Sequence, residues 1–430
     1  MQRSLRYGDG TITLDLPDEW ADGMIVAAPH SAKDVARRDE EEIIRAALRR
    51  PIDSERLEDM VRPGESVCIV TSDLTRPMPS DRVLPVVLRN LLEAGISADD
   101  VTVLFAIGIH RRQTRAEQVK LVGDEVARQV RCVDSDPDDL VNMGRTELGT
   151  PVHLTRVAAE SDRVICLGNV EFHYFAGYSG GLKAILPGVC GPETVAANHR
   201  MMTEPTARAG VIDGNPVRRD IDSVIDLVRV DFILNVVIDE DKQVVGAFAG
   251  HPFAAHRRAV QCVDVRNRVA VENPAHLVIA SAGGHPKDLD LYQAQKALDH
   301  AASFALPGAP IVLVARCSEG YGNRIFAEWL GAAESAEAVL TRLKEDFQLG
   351  GHKAAALVQT VRRNPTWLVS DMEAPLVREA FMQPVELNPE GYLYIPDDVA
   401  RAASGLSATG DITVLVLPDA PSVLPLPAIR

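Results

Sequence analysis

The 430-residue sequence has no CxxC pair, no long apolar run and no excess of positive charge. Its six cysteines, Cys68, Cys132, Cys166, Cys190, Cys262 and Cys317, are scattered, and four lie in or beside apolar runs where cysteine packs as a small hydrophobe. A disulfide framework is thereby excluded, and reduced thiols in a cytoplasmic protein are expected. No run of about 18 apolar residues occurs, and the opening segment MQRSLRYGDGTITLDLP has no apolar signal region. Both absences predict a chain that neither spans a membrane nor is exported by that route. A net charge of -16 argues against nucleic acid or an anionic membrane as partner. Basic groups that bind an acidic substrate must then be concentrated locally. No predicted strand is followed by GxGxxG with an acidic residue about twenty positions later, which disfavours a nicotinamide-type dehydrogenase. Internal repeats and low-complexity segments are absent.

The composition, 46% hydrophobic and 25% charged, is that of a globular protein, and the length is too great for one ordinary core. Short β-branched runs alternate with helical patterns. ESVCIVT, VTVLFAIG, RVICLG and FILNVVID read as buried strands, with a helix over residues 80–95 capped by Ser80 or Asp81 and ended by Gly95. Thr114 to Glu117 has the form of a capping box. The pattern restarts with HLVIASAGG, PIVLVAR, TWLVS and ITVLVLP, and with a helix over 291–305. The expectation is two α/β domains with largely parallel sheets, 1–270 and 271–430, with the active site in the cleft between them. The Pro-rich end is expected to be extended and to pack back on the first domain.

Four polar clusters directly follow predicted strands, where α/β sheets bind ligands. They are Asp73-Leu-Thr75-Arg76-Pro, Gly108-Ile-His110-Arg, the segment from His173 to His199, and Gly283-Gly-His-Pro-Lys287. Each has a plain alternative. Asp73 could cap a turn and Arg76 could be a surface charge, but a guanidinium there could equally fork onto a carboxylate. His110 could be a loop histidine in solvent, and His173, among aromatics, a core one. Either could instead transfer protons, and two such groups would serve opposite faces of one carbon.

GYSGGLKA around Ser179, Gly180 and Gly181 resembles a phosphate loop, its glycines letting backbone N–H groups approach an anion. The glycine spacing is wrong for Walker A, and Ala184 stands where Ser or Thr should hold magnesium. Lys183 could pair with phosphate or act as a covalent attachment point. His199 could be an ordinary helix residue or a nickel, copper, zinc or iron ligand. No second close His or Cys completes a structural zinc site, so any metal must take other ligands from a cofactor. Gln293 and Lys296 are three apart and share a helix face with which both can reach one ligand.

In order and approximate spacing, DLTRP, GIHRRQT, HYFAGYSGGLKAILPG, ANH and YQAQK resemble the lactate racemase family. The resemblance implies a nickel-pincer nucleotide, a pyridinium mononucleotide joined to Lys183 through a thioamide. His199 would complete square-planar Ni(II) coordination. It also implies His110 and His173 as acid/base residues, and Asp73, Thr75, Arg76, Ser179, Gly180 and Gly181 around the cofactor. Arg76, Tyr292, Gln293 and Lys296 would position the substrate. The implied reaction inverts C2 of a 2-hydroxy acid through hydride transfer, in a protein that depends on cofactor-synthesis proteins. The chain departs from lactate-specific members at LGGHKAAALVQ, where His352 and Lys353 stand. Either a polar, cationic wall there admits a larger acid such as malate, or a helix N-terminus faces solvent. A non-catalytic carrier of the nickel cofactor is the competing reading from another class; both histidines of the acid/base pair are present, which disfavours it.

Overall fold

The computed structural model describes residues 1–20, 23–29, 39–239, 241–345, 348, 350–408 and 411–426. The chain forms two compact units, Ser31–Arg266 and a second that joins Met1–His30 to Asn267–Arg430. The first thirty residues, expected with the N-terminal domain, thus belong with the C-terminal part. The reason is strand pairing: Met24–Val26 extends the C-terminal sheet in parallel along Val414–Leu417.

In the Ser31–Arg266 unit, six strands lie in the order Val244–Gly250, Phe232–Ile238, Arg163–Asn169, Val67–Ser72, Val101–Ala106, Arg131–Asp134. All pairs are parallel except the Val244–Gly250 hairpin. Strand interiors such as Cys68-Ile-Val70 and Leu104-Phe105 are fully buried because both sheet faces are covered. Alternation sends Ile69, Phe105 and Leu167 to one face, and Cys68, Leu104 and Cys166 to the other.

Helix Ser80–Glu93 follows strand Val67–Ser72. Neither Ser80 nor Asp81 caps it, because Pro79 occupies the cap position and the Ser80 hydroxyl is 2.8 Å from the buried Thr71 hydroxyl. Its C-terminus is as expected. Gly95, at φ 94°, lets Ile96 N–H reach the Leu91 carbonyl. Thr114 and Glu117 form the expected reciprocal capping box.

The second unit holds an all-parallel six-stranded sheet, in the order Gln383–Val385, Thr366–Val369, Ile311–Val314, Leu277–Ser281, Val414–Leu417, Met24–Val26. One face carries helices Leu291–Ala302, Arg324–Gly331 and Gly351–Arg363. The other carries the hairpin Gln2–Tyr7/Gly10–Asp15, which the sequence pattern does not announce. The Pro-rich tail turns to its own unit, where Leu424–Pro425 pairs with Arg268–Val269; its last four residues lie outside the described chain. The six cysteines are all unpaired, and no described helix is long and apolar enough to cross a membrane.

Candidate active site

In the Ser31–Arg266 unit the chain runs outward from Val67–Ser72 through Val101–Ala106 to Arg131–Asp134. It then returns to the opposite side of Val67–Ser72 with Arg163–Asn169. The crevice at the carboxyl ends of Val67–Ser72 and Arg163–Asn169 is therefore a topological switch point, where open α/β sheets bind ligands. Asp73, His110 and His173 lie on the loops leaving three neighbouring strands there.

Asp73 is 2% exposed, and both its oxygens are engaged. Oδ1 accepts from the Thr75 hydroxyl at 2.7 Å and the Thr75 amide at 3.2 Å, while Oδ2 lies 2.6 Å from His110 Nδ1. Burial would push the carboxyl up, but the His110 hydrogen bond and charge, the Thr75 hydroxyl and the Arg76 charge together hold it below its ordinary value. A carboxylate at Nδ1 fixes the proton on that nitrogen and leaves His110 Nε2 as a lone-pair acceptor. Gln113 ties the same two loops together. Its Oε1 accepts the Leu74 amide at 3.0 Å, and its own amide groups donate to Asp134. Gly108 N–H donates to the Gly188 carbonyl at 2.9 Å, joining the His110 loop to the Lys183 segment. Arg76 is half-buried and forms no ion pair among the described residues.

His173 lies in a two-residue hairpin, Phe172–His173 against Gly177–Tyr178. Its Nδ1 accepts the Ala176 amide at 3.2 Å, so its own proton sits on Nε2, the opposite arrangement from His110. Phe175 packs edge-on against both His173, at 4.6 Å between centroids, and His199, at 4.9 Å. His199 occupies the last turn of helix Pro192–Arg200, and Lys183 a short helical turn, Gly181–Ala184. Among the described residues no group of three or more His, Cys, Asp or Glu could hold a metal.

The glycine loop is built differently from an open anion cradle. Gly181 N–H donates to Asn235 Oδ1 at 2.9 Å, and Ser179 N–H to the Glu171 carbonyl. The glycines are needed for close approach. Gly181, at φ 61°, would place a Cβ 2.9 Å from the His256 ring, and Gly177, at φ 78°, would place one 2.0 Å from the Val211 carbonyl. Three buried residues that motif reading passed over hold this loop from behind. His256 Nε2 is 2.9 Å from the Ser179 carbonyl, Arg218 donates to the Ala176 and Tyr178 carbonyls, and Asn235 takes Gly181. Burial, then the Arg218 charge, drives His256 far below the usual histidine range, so it is neutral and donates from Nε2. A polar Asn235 inside the apolar strand FILNVVI was the available signal.

In the second unit, Asp290 caps helix Leu291–Ala302, and Lys296 Nζ donates to Gln293 Oε1 at 3.0 Å, as their spacing predicts. Lys353 is 2% exposed. It donates to the Tyr292 carbonyl and stands 3.9 Å from the Tyr292 ring centroid. His352 is 4% exposed, its Nδ1 accepts the Gly350 amide, and burial with the Lys353 charge pushes it down to about 3. A solvent-facing helix end is thus excluded, and the cationic wall expected there rests on Lys353 alone, already engaged by Tyr292. Leu349, at the head of that segment, lies outside the described residues.

Residues 7–210 match the lactate racemase N-terminal domain, and residues 270–424 the lactate racemase C-terminal domain. The curated lactate racemase of Thermoanaerobacterium thermosaccharolyticum is 31% identical over 97% of both chains. That of Lactiplantibacillus plantarum is 35% identical over 75% of this chain and 76% of its own. The solved lactate racemase apoprotein from T. thermosaccharolyticum superposes with a TM-score of 0.87 at 29% identity, covering 99% of this chain and 100% of its own. A Thermotoga maritima protein shares the fold, with a TM-score of 0.65 at 19% identity over 90% of this chain and 98% of its own. The chain belongs to the lactate racemase family.

Proposed function

We propose that this chain is a racemase that inverts C2 of a 2-hydroxy acid, with lactate the first substrate to test. The observation that carries this reading is the paired histidine geometry. His110 has its Nδ1 against Asp73 and Nε2 as acceptor; His173 has Nδ1 as acceptor and Nε2 as donor. One imidazole is poised to take a hydroxyl proton and the other to give one, as inversion from either enantiomer requires. The half-buried guanidinium of Arg76 suits the substrate carboxylate. Gln293 and Lys296 are proposed as further substrate-binding residues on the family resemblance.

A nickel-pincer nucleotide on Lys183 is part of the proposal, with His199 as the protein's nickel ligand. The donor set fits: one imidazole from a helix end, no competing cluster of protein ligands among the described residues, and a lysine on a turn held by buried groups. When bound, that group supplies a hydride acceptor and donor. The chain's own residues anchor it through Lys183, fix the loop through Asn235, His256 and Arg218, and move protons at His110 and His173. Partners of this reading are the small-molecule acid and the proteins that make the cofactor. The test is interconversion of D- and L-lactate without added NAD by protein from a cofactor-producing host. Inert protein that nonetheless carries the cofactor would favour a carrier.

A further inference from the structure

The strand Arg163–Asn169 ends on a polar residue that no motif marks. Asn169 is 3% exposed, and its Nδ2 has no hydrogen-bond partner among the described residues. A buried amide donor left unmet costs free energy, which a bound acceptor recovers. Its place in the sheet says where that acceptor sits. Alternation puts Asn169 on the face of Ile165 and Leu167, with Ile69 of the neighbouring strand. The paired register runs from Val67↔Arg163 to Val70↔Cys166, so Asn169 and Asp73 each lie three residues beyond its end, at the same carboxyl edge of the sheet. The Asp73 carboxylate does not take up the amide: its contacts are with Thr75 and His110, and Asn169 Nδ2 is left without a partner among the described residues. On the other side, the Asn169 carbonyl accepts the Ser179 hydroxyl at 2.9 Å and lies 3.3 Å from where a Gly180 Cβ would stand. Asn169 is thus bracketed by the acid that orients His110 and by the loop that leads to Lys183, at the switch point itself.

We infer that Asn169 is a ligand-binding residue of this site, its amide donating to an oxygen of the bound molecule. The inference rests on the proposed function. The acceptor is a hydroxyl, carboxylate or phosphate oxygen, and it has two possible sources: the 2-hydroxy acid or the nucleotide on Lys183. The two respond differently to loss of the amide.

The experiment uses Asn169→Leu and Asn169→Asp made in a cofactor-producing host, beside the wild type. It reads the fraction of chains carrying the added mass, the KM for lactate, and the melting temperature of cofactor-free chain. A nucleotide acceptor predicts a several-fold fall in loading. A substrate acceptor predicts normal loading with KM raised about tenfold, as loss of a hydrogen bond to a charged group gives. In either case cofactor-free Asn169→Leu melts no lower than the wild type, because an unmet polar group has been removed. Should Asn169→Leu fail to fold, the isosteric Asn169→Asp carries the same test by repelling an anionic oxygen. A loaded, active wild type beside variants equal to it in loading and KM overturns this inference alone. Wild-type protein that takes no added mass and leaves lactate enantiomers unchanged overturns the functional reading and this inference with it.

Discussion

The 2.6 Å contact between His110 Nδ1 and Asp73 Oδ2 links two loops that leave adjacent strands. Gln113 joins the same pair of loops and the Thr75 hydroxyl holds the Asp73 carboxylate, so the imidazole is oriented before any ligand arrives. Asp73→Asn keeps the shape but can present an amide to Nδ1 and reverse the tautomer. Turnover should fall by about 10²-fold or more, the scale of a lost acid/base contribution, with KM changed less than kcat. Rates measured at fixed cofactor loading check this; wild-type turnover in the variant would remove Asp73 from the account.

The Asp73 carboxyl also sets a pH dependence of stability. Its folded value lies below the ordinary one, so the unfolded chain binds the proton more tightly. The stabilisation is fully present above about pH 4, the unfolded carboxyl value, and is lost as pH falls through the depressed folded value. Urea unfolding of wild type and Asp73→Asn between pH 7 and 3, to be run at about equal ionic strength, should show a shallower acid loss in the variant.

His110 and His173 should display opposite neutral tautomers, with the proton on Nδ1 in the first and on Nε2 in the second. Nitrogen-15 NMR of the imidazoles reads this directly, without turnover. His110→Gln and His173→Gln should each lower turnover by about 10²–10⁴-fold while leaving the mass on Lys183 in place. Finding the same tautomer at both sites would contradict the division of proton roles.

Buried His352 acts in the same direction as Asp73, over a higher pH range. Its folded value is pushed down to about 3, so between there and the ordinary histidine range the unfolded chain takes up a proton that the folded chain refuses. Stability should therefore decline as pH falls from about 6.5, and His352→Phe should flatten that decline. Lys353→Met removes the ammonium from the Tyr292 carbonyl and ring. The expected result is a raised KM for lactate with normal cofactor loading.

Gly181→Ala should be worse than Gly64→Ala, although both positions have positive φ. The Gly64 Cβ would enter open space, whereas the Gly181 Cβ would meet the His256 ring at 2.9 Å, two residues from Lys183. Backbone strain alone costs about 1–3 kcal/mol. The added clash should appear as a lower melting temperature and poorer loading in Gly181→Ala only.

Much of this was legible in the sequence because it is local. Buried parallel strands announce themselves as β-branched runs, and the candidates Asp73, His110 and His173 are singled out by their position just after such runs. The Gln293–Lys296 contact follows from helical spacing. What stayed hidden depends on long-range pairing. Nothing in Met24-Ile-Val26 says that it pairs with Val414–Leu417, at the far end of the sequence. Arg218, Asn235 and His256 support the glycine loop from distant segments, and only the fold brings them to it. The sequence leaves His352 and Lys353 as either a cationic wall or a solvent-facing helix end, because their burial is set by residues distant in sequence, with Tyr292 against Lys353 and Trp329 against the adjoining Gly351.

The most direct test of the central claim is intact mass with metal analysis, on protein from a host that makes the cofactor and on its Lys183→Ala and His199→Ala variants. The account predicts added mass that disappears in Lys183→Ala, and about one nickel ion per chain that is lost in His199→Ala. Wild-type protein of unmodified mass, free of nickel and still interconverting lactate enantiomers, would contradict it.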